Sequence, residues 1–211
     1  TYCAVQKDGI AKCWGDNSYA HIASTGGSYI STALTITVIT NAIGIASGSF
    51  HSCAVLATGT VQCWGRNNMG QVGDGSTDGF NATEPRTVSG ITTNATDIAV
   101  GYETSCATLS TGYIKCWGSD NSGALGDSVA LANKYTPVTV ANITTKITSI
   151  GFGSAHGCAV IDSPSTLGIS APSAISVATL KCWGSHQFGQ VGDAIDNTTA
   201  ARPRPVSTTL K

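Results

Sequence analysis

Eight cysteines, four histidines and a recurring set of turn aspartates are the residues of this chain whose types and spacing can do chemistry. Cysteines can bind zinc, attack an electrophile or pair with each other. Cys3 and Cys13, Cys53 and Cys63, and Cys106 and Cys116 are each ten residues apart, and Cys158 and Cys182 are 24 apart. This is not the C-x-x-C spacing of a zinc site. Between the members of each closely spaced pair lie a short β-prone run, a turn and a second run. Gly9, Gly59 and Gly112 each stand six residues after the first cysteine. A three-residue hairpin loop ends in a left-handed residue, which glycine adopts without steric cost. Such a hairpin sets the two cysteines opposite each other on neighbouring strands, within the Cα separation a disulfide tolerates. The expected bridges are Cys3–Cys13, Cys53–Cys63, Cys106–Cys116 and Cys158–Cys182. Free core thiols are the alternative. Each bridge closes a short loop and contributes about 2–3 kcal/mol by the loop-entropy account.

The other reactive residues form no recognisable centre. His51 and His156 occupy the same repeat position in different copies and read as structural, and His21 and His186 stand elsewhere. Asp74, Asp127 and Asp193 follow a Gly-x-x-Gly turn in three copies. An aspartate there serves nearby backbone N–H groups, and one carboxylate per turn is too few for calcium. No Ser-His-Asp, Cys-His or paired-carboxylate constellation stands out. The chain is expected to be non-catalytic, without a cofactor or metal.

The elements that position these residues repeat. First cysteines at 3, 53, 106 and 158 give a period of about 50 residues, the mark of a repeat architecture. Trp14, Trp64, Trp117 and Trp183 each follow the second cysteine in a Cys-Trp-Gly run. They read as blade-core residues packed between repeats, or alternatively as an exposed carbohydrate-binding row. Inner strands are expected at 41–47, Asp97–Val100 and Ile147–Ile150, and outer strands at Leu34–Thr40 and in the Pro85, Pro137 and Pro203–Pro205 segments. Proline at a strand start marks an outer edge. Residues 16–32 read as loop. Four short strands per repeat make a β-propeller blade. The fold class is therefore an all-β propeller with four copies in one repeat domain, approximately 1–41, 42–92, 93–146 and 147–211, forming a partial or open propeller or part of a larger assembly. Copy four carries an insertion within 162–178. As a contact element it would use Asp162, Leu167, Ile169, Pro172 and Ile175. A neutral insertion is the other reading.

Composition narrows the class. Charged residues are 11% of the chain against about 25% in a typical domain. The net charge is −1 with no basic patch, so a nucleic-acid partner is not expected. No apolar run reaches the ~20 residues that span a bilayer. Paired cysteines point to an oxidising compartment, extracellular or at the cell surface. Sequons at Asn81, Asn94, Asn142 and Asn197 are candidate glycosylation sites. The chain opens at Thr1-Tyr2-Cys3 inside an expected strand, which reads as a processed or partial chain.

The unit Ile-Ala-x-Gly, then Ser/Gly-Cys-Ala, then Cys-Trp-Gly-x-Asn/Asp-x-x-Gly-Gln-Val-Gly-Asp and Pro-x-x-Val resembles the regulator-of-chromosome-condensation repeat. Ile45-Ala46-Ser47-Gly48 with His51-Ser52-Cys53-Ala54 matches best, followed by Ile150-Gly151-Phe152-Gly153 with His156-Gly157-Cys158-Ala159. The cysteine pair resembles the secreted variety of the repeat, similar to propeller-type β-lactamase inhibitors. The resemblance implies a propeller, usually of seven blades. Copy one departs from the pattern, since Asp16 to Ala23 lacks the Gly-Gln-Val-Gly-Asp loop.

Three functions follow as expectations. The first is an extracellular structural or adhesive module that binds protein, copies of itself included. Copy one lacks an inner strand, and strand addition from a neighbouring molecule would then build a filament. The second is a secreted inhibitor or ligand-binding module, and the third is a nucleotide-exchange factor. Carbohydrate is the minor alternative partner.

Overall fold

A computed structural model describes residues 1–23, 27–77, 79–129, 131–143, 146–164, 176–194 and 200–205. Every regular element among them is a β-strand. The first sheet contains β1 (Tyr2–Val5), β2 (Ala11–Asp16) and β3 (Tyr29–Thr35). The second contains β4 (Ala42–Ser47), β5 (His51–Leu56), β6 (Val61–Gly65) and β7 (Ala82–Thr87). The third contains β8 (Ala95–Val100), β9 (Thr104–Leu109), β10 (Ile114–Gly118) and β11 (Lys134–Thr139). The fourth contains β12 (Ile147–Phe152), β13 (His156–Pro164), β14 (Ser176–Gly184) and β15 (Ala200–Pro205). Each sheet is antiparallel and meanders in chain order, as propeller blades do.

The hairpin register sets Cys3 opposite Cys13, Cys53 opposite Cys63, Cys106 opposite Cys116 and Cys158 opposite Cys182. All four pairs are disulfide-bonded with Cα–Cα separations of 4.1 Å. Gly9, Gly59 and Gly112 have φ of 82°, 78° and 86°, the left-handed conformation that the turn demands. In the fourth sheet the hairpin runs on to the Pro164–Ser176 pair, so longer strands take up part of the longer cysteine spacing.

The first outer strand differs from the sequence reading. It spans Tyr29–Thr35 rather than Leu34–Thr40, because Asp16 pairs with Tyr29 and Lys12 with Thr35. The β-branched residues beyond it form a turn in which Ile36 and Ile39 are buried, and Ile39 N–H donates to Ile36 O at 2.9 Å. The prolines also sit within the outer strands, at Pro85 of β7 and Pro137 of β11, rather than at their starts. The edge assignment holds for both strands, since an outer strand has one unpaired side where a missing N–H costs nothing.

Neighbouring blades pack through β4 against β1 and β8, β5 against β8, and β8 against β12. A continuous apolar core joins the first three sheets and includes Ile22, Val55, Val72, Trp64 and Trp117. A second cluster around Leu125, Ile143, Ile161 and Trp183 joins the third sheet to the fourth.

Candidate functional site

The seams between blades are built from one residue position per copy. Trp64 Nε1 donates to the carbonyl of His21 at 3.0 Å, Trp117 to that of Gln71 at 2.8 Å and Trp183 to that of Ala124 at 2.9 Å. Each accepting carbonyl belongs to the preceding blade, in the turn that follows its Cys-Trp-Gly run. Ser52 Oγ joins Trp64 on the His21 carbonyl at 3.0 Å, and Ser105 Oγ joins Trp117 on the Gln71 carbonyl at 3.0 Å. Trp64, Trp117 and Trp183 are fully buried. An exposed carbohydrate-binding row of tryptophans is therefore not the arrangement found. Trp14 is half-buried and stacks on Tyr2, with ring centroids 6.2 Å apart.

The turn supplying these carbonyls has its own support. Asn17, Asn67, Asp120 and His186 occupy one repeat position, and their side chains accept the N–H of Ile22, Val72, Leu125 and Val191 at 3.0 Å. The repeat motif in the sequence marked this position as Asn/Asp without assigning it a role, and copy four places His186 there. The atypical copy one forms the same turn. Ala20 and Ala23 take φ of 60° and 50° where copy two has Gly70 and Gly73 at 83° and 74°. At Gly73 a Cβ would stand 2.6 Å from Trp117, so here the glycine is also needed for close approach.

Asp74 and Asp127 accept the N–H of Ser76 and Val129, each at 3.0 Å. Burial opposes ionisation of Asp74, but the hydrogen bonds from Ser76 and the Arg86 guanidinium 3.0 Å away outweigh it and hold the carboxyl below its ordinary value. Asp193 faces His186 Nε2 at 2.9 Å. Burial pushes the Asp120 carboxyl up.

The four histidines do not converge. His51 is fully buried, with its Nε2 2.7 Å from Ser105 Oγ. Ser105 Oγ also donates to the Gln71 carbonyl at 3.0 Å, which ties the pair into the seam between the second and third blades. Burial drives the His51 pKa down to about 3. His21 is also buried, and burial lowers its pKa. His156 is half-buried. Among the described residues no group of three or more His, Cys, Asp or Glu could hold a metal ion.

Asn81 and Asn142 are exposed and Asn94 is half-buried. Asn197 lies outside the described residues. Asp162 of the insertion is half-buried and pairs with Ala178 across the hairpin, whereas Leu167, Ile169, Pro172 and Ile175 lie outside the described residues.

The aromatic residues are segregated. One end of the blades carries the turns before the first hairpin strand and the loops after the second. Of the six tyrosines and four phenylalanines, only Tyr113 lies at the other end, in a hairpin tip. Tyr19, Phe50 and Tyr102 form an edge-to-face row across three blades, with centroids 4.9 and 4.7 Å apart. The Arg66 guanidinium carbon lies 4.8 Å from the Phe50 centroid and 5.3 Å from that of Tyr19. Its Nη1 is 3.3 Å from a Glu103 carboxylate oxygen. Phe188, Phe80 and Tyr102 at this end are 88%, 72% and 44% exposed. At the opposite end a cleft of about 620 Å³ between the third and fourth blades is lined by Thr96, Asp97, Thr108, Ser110, Lys146 and Thr148 among others, with no aromatic ring. Among the described residues no helix is long and apolar enough to cross a membrane.

Two models of the regulator of chromosome condensation (RCC1) repeat match the chain, one at residues 42–71 and 95–124 and the other at 58–108. Among solved structures, yeast RCC1 (Prp20) bound to Kap60 superposes with a TM-score of 0.80 at 19% identity, over 98% of this chain and 46% of that one. Saccharomyces cerevisiae Prp20p, described with its binding to Gsp1p and histones, gives 0.78 at 19% identity, over 98% of this chain and 48% of its own. Human WBSCR16 gives 0.78 at 18% identity, over 98% of this chain and 50% of its own. The chain thus spans about half the length of these structures. Residues 42–124 match the RCC1 repeat, and the sheets fold as propeller blades with a disulfide in each hairpin.

Proposed function

We propose that these disulfide-bearing RCC1-type repeats form a non-catalytic, extracellular protein-binding module, and that it binds through the aromatic end of its blades. The segregation of the rings carries this reading. Aromatic residues and arginine are enriched at protein interfaces and dominate their hot spots. Rings scattered by the needs of folding alone would appear at both ends. Four disulfides suit an oxidising compartment. Among the described residues the buried His51 meets Ser105 inside a blade seam, where the serine hydroxyl also donates to a backbone carbonyl, and this structural placement supports a non-catalytic role. An adhesive or self-associating module and a secreted inhibitor would both use such a face, and they differ in what is bound.

The test places a photo-reactive benzoyl-phenylalanine at Phe188 or at Tyr113 and exposes each protein to the secreted fraction and cell surfaces of the source organism. Protein adducts are expected from Phe188 and not from Tyr113. Adducts containing a second copy would identify self-association. Equal labelling from the two ends, or none from Phe188, would refute the assignment.

A further inference from the structure

The repeat permits one blade to be compared with the next at the same place. Arg66 follows the last residue of β6, and its N–H donates to Phe50 O at 2.9 Å. Ser119 follows the last residue of β10, and its N–H donates to Glu103 O at 2.8 Å. The two positions are structurally equivalent. In the second blade the long arginine side chain lies across two rings and reaches Glu103 of the third blade. In the third blade the short serine leaves the corresponding space open. The result is a cavity of about 110 Å³ between the third and fourth blades, bordered by Tyr102, Glu103, Ser119, Asn121, Ser122 and Ser154.

We infer that this cavity receives an arginine side chain from the protein partner. The inference rests on the protein-binding reading above and specifies the partner's chemistry. The second blade shows what this environment selects, since there the repeat holds a guanidinium against aromatic rings with a carboxylate at its tip. Around Ser119, Glu103, Met69 and Ala155 stand where Phe50, Tyr19 and Glu103 surround Arg66, so the groups are differently placed. The cavity is still bordered by an aromatic residue, Tyr102, a carboxylate, Glu103, and the side-chain oxygens of Ser119, Asn121, Ser122 and Ser154. A guanidinium has five N–H donors in a planar fork and stacks on rings, so several of these groups can be used together. Glu103 already meets Arg66, but an ionised carboxylate has about four acceptor sites and can bridge two cations. A lysine ammonium would match the charge but not the planar geometry.

The experiment measures fluorescence anisotropy of a labelled arginine-rich peptide, with the same peptide carrying citrulline in place of arginine as the neutral isostere. Ser119→Arg supplies the cavity with the chain's own guanidinium, and Thr77→Arg adds the same charge at an exposed position on the same end. The arginine peptide is expected to bind the unaltered chain and Thr77→Arg alike. It should bind Ser119→Arg at least about tenfold more weakly, equivalent to about 1.4 kcal/mol. Tyr102→Leu, which removes the ring without adding charge, should also weaken binding several-fold should Ser119→Arg fail to fold. Equal binding to Ser119→Arg and Thr77→Arg, or undiminished binding of the citrulline peptide, would overturn the cavity assignment. Either result would leave the Phe188 cross-linking outcome, and with it the interaction reading, standing.

Discussion

The seam between the second and third blades and the seam between the third and fourth are the same joint made with different chemistry. In the former, one carbonyl, that of Gln71, accepts both Trp117 Nε1 and Ser105 Oγ, and His51 backs the serine. In the latter, the carbonyl of Ala124 accepts Trp183 Nε1 from a copy that has Gly157 where the serine would be. Phe152 fills the vacated space and meets Trp183 edge-on, with centroids 6.0 Å apart and planes at 73°. The tryptophan is therefore the fixed element of the joint. The polar partner beside it can be exchanged for an aromatic ring.

The strongest way to break the comparison is to remove the fixed element. Trp117→Ala and Trp183→Ala should each cost about 3–5 kcal/mol, read from denaturant unfolding, because each empties a buried indole site. A loss below about 1 kcal/mol at either position would show that the seam does not depend on the ring.

Acid should separate the two seams. The His51 pKa is about 3 in the folded chain, below the ordinary value of about 6.5 that it regains on unfolding. Below pH 6.5 the unfolded state therefore binds a proton that the folded state does not. Stability present at neutral pH is lost as pH falls towards 3, with a slope of up to about 1.4 kcal/mol per pH unit. Thermal unfolding across this range should show that His51→Gln flattens the slope. An unchanged slope in that variant would remove His51 as the cause.

A smaller effect tests whether the joints are interchangeable. Gly157→Ser copies Ser105 into the last seam, yet its Cβ would run into the Phe152 ring and approach Trp183 Cζ2 at 2.8 Å. Overpacking of this kind costs about 1–3 kcal/mol. Pairing it with Phe152→Val should recover part of the loss, as a double-mutant cycle would reveal. Removing only the indole N–H sharpens the contrast further. Trp117→Phe leaves Ser105 on the Gln71 carbonyl, whereas Trp183→Phe takes the indole donor from the Ala124 carbonyl. The second variant should lose about 1 kcal/mol more than the first.

The smallest expected change is a gain. Ala20 is a non-glycine residue in left-handed backbone, where glycine carries no Cβ penalty. Ala20→Gly should raise stability by about 0.5–1 kcal/mol, measurable as a modest increase in Tm. A decrease would show that the alanine methyl group contributes packing greater than its strain.

The hairpins and their bridges were readable from sequence because they are local. Cysteine spacing and one turn glycine determine which residues face each other. The first outer strand was not readable, because β-branched residues in 34–40 suit a strand by propensity, while the register with β2 places the strand at Tyr29–Thr35 and leaves Ile36 and Ile39 to cover the core. The turn of copy one was also obscured, since alanines hold a conformation that the other copies assign to glycine. The aromatic end could have been recognised by placing each ring in repeat register. Tyr19, Phe50, Tyr102 and Phe188 are far apart in sequence but flank corresponding strand ends. The open cavity could not be recognised that way, because a serine at 119 acquires meaning only beside the path taken by Arg66.

Every bridge closes within a single sheet, and each tryptophan bond runs from one blade to the turn of the blade before it. The covalent wiring is thus self-contained, and the joint is directional in the same sense at every seam. A gene encoding such an array can lengthen or shorten by whole copies without stranding a thiol or reversing a joint. Copy number is then a quantity that heredity can adjust one unit at a time, with each new neighbour meeting the same connector as the last.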